Sequence, residues 1–112
     1  MTNRLPRGDQ AILDVRKIED YCLNPTHPRG RHKARVFRES LGLQRSDASW
    51  LSSELLKAAR LGEALQVGAD IWGAQWRLDV TIRRQRKTAV VRTIWIVRTR
   101  ENVPRFVTCW GL

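Results

Sequence analysis

The chain has 112 residues, with 21 Lys and Arg against 11 Asp and Glu, a formal net charge of +10, 42% hydrophobic residues and five Trp. That length predicts one domain, residues 14–112 behind an N-terminal arm of residues 1–13, with enough apolar side chains to bury a core, so a disordered polycation is excluded. The cation excess points to polyanionic partners, RNA first; the absence of any ~20-residue apolar run or secretory leader pattern excludes a membrane partner and predicts a cytoplasmic setting.

Residues 1–13 hold Pro6 and Gly8 and no clear period, and read as a loose arm. Asp14 is placed to cap a short first helix in which Val15, Ile18, Tyr21 and Cys22 fall at helical spacing, and Asn24-Pro25 ends it. A second helix is predicted from Pro28–Gly30 to Gly42. Its apolar stripe is Ala34, Phe37 and Leu41, and a separate basic stripe is formed by Arg31, Arg35 and Arg38. Lys33 lies one turn before Phe37, at the margin of the buried face. Ser46 or Asp47 is expected to cap a third helix, whose inner face is Trp50, Leu51, Leu55, Ala58 and Ala59, ending near Gly62.

From there the period changes to two. A short strand is expected around Ala64–Gly68, then one in which Trp76, Leu78, Val80 and Ile82 alternate with polar residues. A basic turn, Arg84-Gln85-Arg86-Lys87, leads to a Val- and Ile-rich strand over Thr88–Arg98, and Glu101–Pro104 turns into a last strand over Arg105–Trp110. The predicted class is therefore α+β, two or three N-terminal helices packed on a three- to four-stranded antiparallel sheet. The five Trp are read mainly as core.

The stretch Asn24–Phe37 holds both histidines and a cluster of cations at the entrance of the second helix. RNA cleavage without a metal ion needs a base for the 2′-hydroxyl, an acid for the leaving 5′-oxygen, and cations or donors around the phosphorane-like transition state. His27 and His32 are the acid/base candidates. Lys33, Arg35 and Arg98 are placed to hold phosphate, with Thr93 or Thr108 donating a hydrogen bond. Arg31, Arg35, Arg38, Arg84, Arg86 and Lys87 are the candidate RNA-binding cations. Beside this stands a structural reading: His27, between two prolines, stiffens and caps a turn, and the Arg stripe is a solvated surface.

The acids are scattered, so a two-metal nuclease is disfavoured, and no Gly-rich nucleotide motif is present. Cys22 and Cys109 form no C-x-x-C pair and are read as reduced structural thiols. A zinc site from Cys22, His27, His32 and Cys109 is the weaker alternative, because its ligand spacing is too wide. No metal or cofactor is expected.

The run Leu23-Asn24-Pro25-Thr26-His27-Pro28-Arg29-Gly30-Arg31-His32-Lys33-Ala34, with Phe37 and Gly42, Thr93–Arg98 and Pro104–Thr108, resembles the signature of a bacterial domain family of unknown function. The resemblance covers the chain from Leu5 onward. Members of that family occur alone and as C-terminal domains of proteins resembling polymorphic toxins, some encoded beside a small antitoxin-like protein. Their helices-then-sheet order is similar to the toxin ribonuclease superfamily of barnase, RelE-like and EndoU-like domains. The resemblance implies an RNA-directed toxin acting as a metal-independent endoribonuclease, with an acidic antitoxin-like partner. It implies catalytic roles for His27, Lys33, Arg98 and Thr108, and none for His32. The alternative is a non-catalytic basic module that binds RNA or an acidic protein. The oligomeric state is not legible.

Overall fold

The computed structural model describes residues 3–112, so the first two residues of the expected arm lie outside it. A first helix, α1 (Val15–Lys17), widens into a π-helical turn over Ile18–Cys22, and is followed by α2 (Arg31–Leu41) and α3 (Ala48–Leu61). Four strands, β1 (Ala64–Asp70), β2 (Gly73–Arg84), β3 (Lys87–Arg98) and β4 (Pro104–Gly111), make one antiparallel meander in the order β1-β2-β3-β4. Three helices packed with a four-stranded sheet give the α+β architecture that the change of hydrophobic period predicts. Among the described residues, no helix is long and apolar enough to cross a membrane.

The core lies between helices and sheet. Leu78 and Ile82 of β2 and Val91 and Trp95 of β3 meet Phe37 and Leu41 of α2 and Leu51 and Leu55 of α3 in one buried cluster. Trp95 packs edge-on against Phe106 of β4, with ring centroids 5.4 Å apart, a geometry favoured by the aromatic quadrupole. Of the five Trp, only Trp95 is fully buried, while Trp72 in the β1–β2 turn is 71% exposed. Thr93, expected as a phosphate donor, belongs to this core: its hydroxyl donates to the Leu78 carbonyl at 2.6 Å and accepts from the Trp95 indole at 2.8 Å. Its only proton is given to Leu78, so this buried hydroxyl has no donor left for a phosphate.

Several boundaries differ from the sequence reading for local reasons. The expected loose arm is tied to both edges of the sheet. Leu5 is buried, Ala64 donates its N–H to the Asn3 carbonyl, and Ile12 exchanges backbone bonds with Pro104 and Phe106. The basic turn is tighter than four residues, because Arg84 pairs with Lys87 and only Gln85 and Arg86 remain, Gln85 at φ 56°. Two-residue hairpin turns require such left-handed backbone. Asp47 precedes α3, but its carboxylate accepts from the Gln44 N–H at 2.8 Å and closes the short Arg45–Asp47 turn instead of capping the helix. The other capping expectation matches: the Asp14 carboxylate accepts from the Arg16 N–H at 3.0 Å.

Candidate nucleic-acid interface

The turn before α2 is built from its own side chains. The Asn24 side-chain oxygen Oδ1 accepts from the Thr26 N–H at 3.0 Å and the Thr26 hydroxyl at 2.8 Å, the Asx geometry that short polar residues favour. His27 Nδ1 then accepts from the N–H groups of Arg29 at 3.0 Å and Gly30 at 2.9 Å, and its ring stands edge-on to Tyr21 at 4.8 Å. An imidazole whose Nδ1 accepts two backbone protons carries its own proton on Nε2. His27 therefore caps the turn into α2 and keeps Nε2 as its donor. With Nδ1 occupied by these two N–H groups, the turn leaves no lone pair there for a general base.

Gly30 sets where α2 docks. A Cβ there would run into the Tyr21 carbonyl, so only glycine lets the helix start abut the π-helical turn. That approach puts Lys33 over Tyr21. The Lys33 ammonium donates to the Thr108 hydroxyl at 2.8 Å and lies 4.7 Å from the Tyr21 ring centre and 5.4 Å from that of Trp110. Thr108 reaches it where a bulge shifts the β3–β4 register between Ile94 and Trp95, re-aiming side chains as bulges do. No carboxylate lies within ion-pair distance of Lys33 among the described residues. The direct contacts of this half-buried ammonium are thus a hydroxyl and two aromatic faces, none of them a carboxylate.

Beneath it sit the two cysteines, both buried. The Cys22 sulfur is 3.9 Å from the Thr108 hydroxyl. The hydrogen-bonding Cys109 thiol lowers the pKa of the Cys22 thiol to about 6, with Thr108 and the Lys33 charge adding to the effect against burial. Cys109, as the donor in a dry environment, is pushed the other way. Neither thiol joins a metal set: among the described residues, no three His, Cys, Asp or Glu side chains converge, so the zinc alternative has no ligand cluster.

Two grooves flank α2. One, of about 450 Å³, is lined by His32, Lys33, Val36, Trp110 and Gly111. The other, of about 570 Å³, runs between α2 and the Leu43–Arg45 segment and brings together Arg31, Arg35, Arg38 and Arg45. His32, exposed on the crest of the helix, borders both. Its imidazole makes no hydrogen bond to any described residue, unlike that of His27.

His27, Lys33 and Thr108 thus gather around Tyr21, and three of the six candidate RNA-binding cations line one groove. Arg98 stands apart. It ends β3, four residues beyond the partner of Thr108, about 13 Å along a strand, and its 54%-exposed side chain faces Glu101 at 3.8 Å. Arg84 is structural: its guanidinium donates to the Gly42 carbonyl at 2.9 Å, pairs with Asp47 at 3.1 Å and covers Trp50. It thereby closes the C-terminal end of α2, where Gly42 turns left-handed at φ 66°, as helix ends require. Lys87 donates to the Glu39 carbonyl at 3.3 Å, and Arg86 is exposed in the hairpin turn. Tyr21, Trp110 and Arg45 were not legible as site residues. Their signal is spatial and depends on the Gly30 approach and on the turn before α3.

A model of the domain of unknown function DUF6883 matches residues 4–112. No curated protein sequence matches the chain. The fold is similar to that of a chain in the contact-dependent growth inhibition toxin–immunity protein complex from Klebsiella pneumoniae 342, with a TM-score of 0.70 and 14% identity over 90% of this chain and 99% of that one. At that identity the likeness is one of fold alone.

Proposed function

The chain belongs to this family of domains of unknown function, and from that premise we propose that it is an RNA-directed toxin domain cleaving RNA without a metal ion in the groove beside Lys33. The observation that carries the reading is the Lys33 ammonium itself, half-buried, donating to Thr108 and lacking a carboxylate partner among the described residues. Such a charge attracts a phosphodiester and strengthens as water is excluded. Lys33 and Thr108 hold the phosphate oxygens. His32, whose imidazole is free, takes the 2′-hydroxyl proton as that oxygen attacks phosphorus, and returns it to the 5′-oxygen as the P–O5′ bond breaks, leaving a 2′,3′-cyclic phosphate. His27 positions α2 and offers its Nε2–H as a donor. The partner that would silence such a domain is a small acidic protein, and the fold's likeness to a chain of a toxin–immunity complex supports that expectation.

The capping role of His27 favours a second reading, a non-catalytic module binding RNA or an acidic protein through the same cations. One experiment separates them. Purified protein incubated with total RNA in EDTA is expected to give discrete cleavage ends, and Lys33→Gln and His32→Ala are expected to slow them at least ~100-fold, the usual cost of a lost transition-state donor or acid/base. Intact RNA with steeply salt-sensitive binding would sink the nuclease and leave the module.

A further inference from the structure

The groove on the far side of α2 differs from a solvated arginine face in having a floor. Leu23, Ala34 and Leu43, each at most 5% exposed, form its base with Pro25. Arg31, Arg35, Arg38 and Arg45 stand around it, and among the described residues only Arg45 has an acidic partner, Asp20 at 2.7 Å. A volume of about 570 Å³ suits a single small ligand bound mostly by apolar contact. The ligand must be flat and apolar on its faces to use the floor, and negatively charged at its margins to meet three unpaired guanidiniums. An unpaired nucleotide has both properties, because its base stacks on planar guanidinium groups and its two flanking phosphates take the charges. A duplex keeps its bases inside and presents phosphate alone.

We propose that this groove is a pocket for one unpaired nucleotide of a single RNA strand, and that the strand then crosses α2 over His32 to bring the next phosphate to Lys33. The inference rests on the RNA-directed reading above and adds a selection for single strands to it. It gives the two sides of α2 different work. The Arg35 side grips a base, and the Lys33 side grips the phosphate to be cut. Because His32 borders both grooves, the scissile bond lies next to the gripped nucleotide, so cleavage falls at unpaired positions.

The test uses fluorescence anisotropy with a short 2′-O-methyl oligoribonucleotide, which lacks the nucleophile, beside the matching duplex, inorganic polyphosphate and poly-glutamate. Wild-type protein is expected to prefer the single strand over the other three by about tenfold or more, the range of one base stack. Arg35→Lys keeps the charge and loses the plane, so it is expected to abolish that preference while leaving polyphosphate binding and its salt dependence in place. Equal affinity for single strand, duplex and polyphosphate, or an Arg35→Lys variant indistinguishable from wild type, overturns the pocket and leaves RNA-directed function standing. Tighter binding of poly-glutamate, with the same Arg35→Lys sensitivity, overturns it in favour of an acidic protein. The absence of salt-sensitive binding to any RNA overturns both proposals together.

Discussion

At position 27 the side chain is asked for a hydrogen-bond acceptor, not a proton shuttle. Two backbone N–H groups of the α2 entrance converge on Nδ1, and removing an acceptor from such a position costs about 1 kcal/mol, up to about 2. His27→Ala is therefore expected to lower unfolding stability by that amount in urea titrations. His27→Asn, whose short side chain supplies an oxygen, is expected to recover most of it. If RNA cleavage survives in His27→Asn, the imidazole is a cap; if it is lost from a fully stable variant, His27 takes part in the chemistry after all. Arg84 behaves similarly. Its place in a basic turn suggests a nucleic-acid contact, yet its guanidinium satisfies helix-end carbonyls and Asp47 with only 23% of the side chain exposed. Arg84→Ala is expected to cost about 2 kcal/mol, the scale of lost charge-assisted hydrogen bonds, and to leave RNA affinity nearly unchanged. Residue types were legible in the chain, but which nitrogen bonds to what was not. Sequence shows a His beside cations, and only the folded turn shows that its Nδ1 is occupied.

The elements were more legible than the residues, because each is written in a period. The 3.6-residue spacing of Ala34, Phe37 and Leu41 and the alternation of Trp76, Leu78, Val80 and Ile82 need no partner to be seen. What escaped is held by long-range contact. Residues 3–13 carry no period, yet their backbone lies along both sheet edges and Leu5 is 3% exposed. Leu5→Ala is expected to destabilise the domain by about 2–4 kcal/mol, a core rather than an arm effect; a loss within ~0.5 kcal/mol, the range of a surface site, would restore the loose-arm reading. At the next element the Asp14 cap sets an acid limit. Its bonds from the Arg16 side chain and N–H, aided by the Arg16 and Lys17 charges, lower the carboxyl from 3.8 to about 2. A depressed acid stabilises the fold fully above its unfolded value and loses that contribution as pH falls through the folded one. The gap in thermal midpoint between wild type and Asp14→Ala is thus expected to be constant above about pH 4 and to close toward pH 2.

On the scale of the whole molecule, a net charge of +10 says that a polyanion will bind but not where, and the sequence alone spread the candidates over α2, the β2–β3 hairpin and the end of β3. Folding sorts them. Asp47, Asp79 and Glu101 neutralise Arg84, Arg92 and Arg105 on the sheet and its turns, whereas Arg31, Arg35, Arg38 and Lys33 crowd one helix that holds a single acid, Glu39, and make no ion pair among the described residues. The count of local cations then sets a measurable slope. Each phosphate neutralised on a single strand contributes about −0.7 to the dependence of log K on log salt. Four contacts around α2 give about −3 for a non-cleavable strand, far below the value that a uniformly sticky surface bearing 21 cations would reach. Arg38→Gln is expected to reduce the slope by about 0.7, while Arg98→Gln, remote from both grooves, leaves it unchanged. Were the two substitutions to flatten the slope equally, attraction would be spread over the whole surface, and the grip on RNA could not be assigned to the two sides of α2.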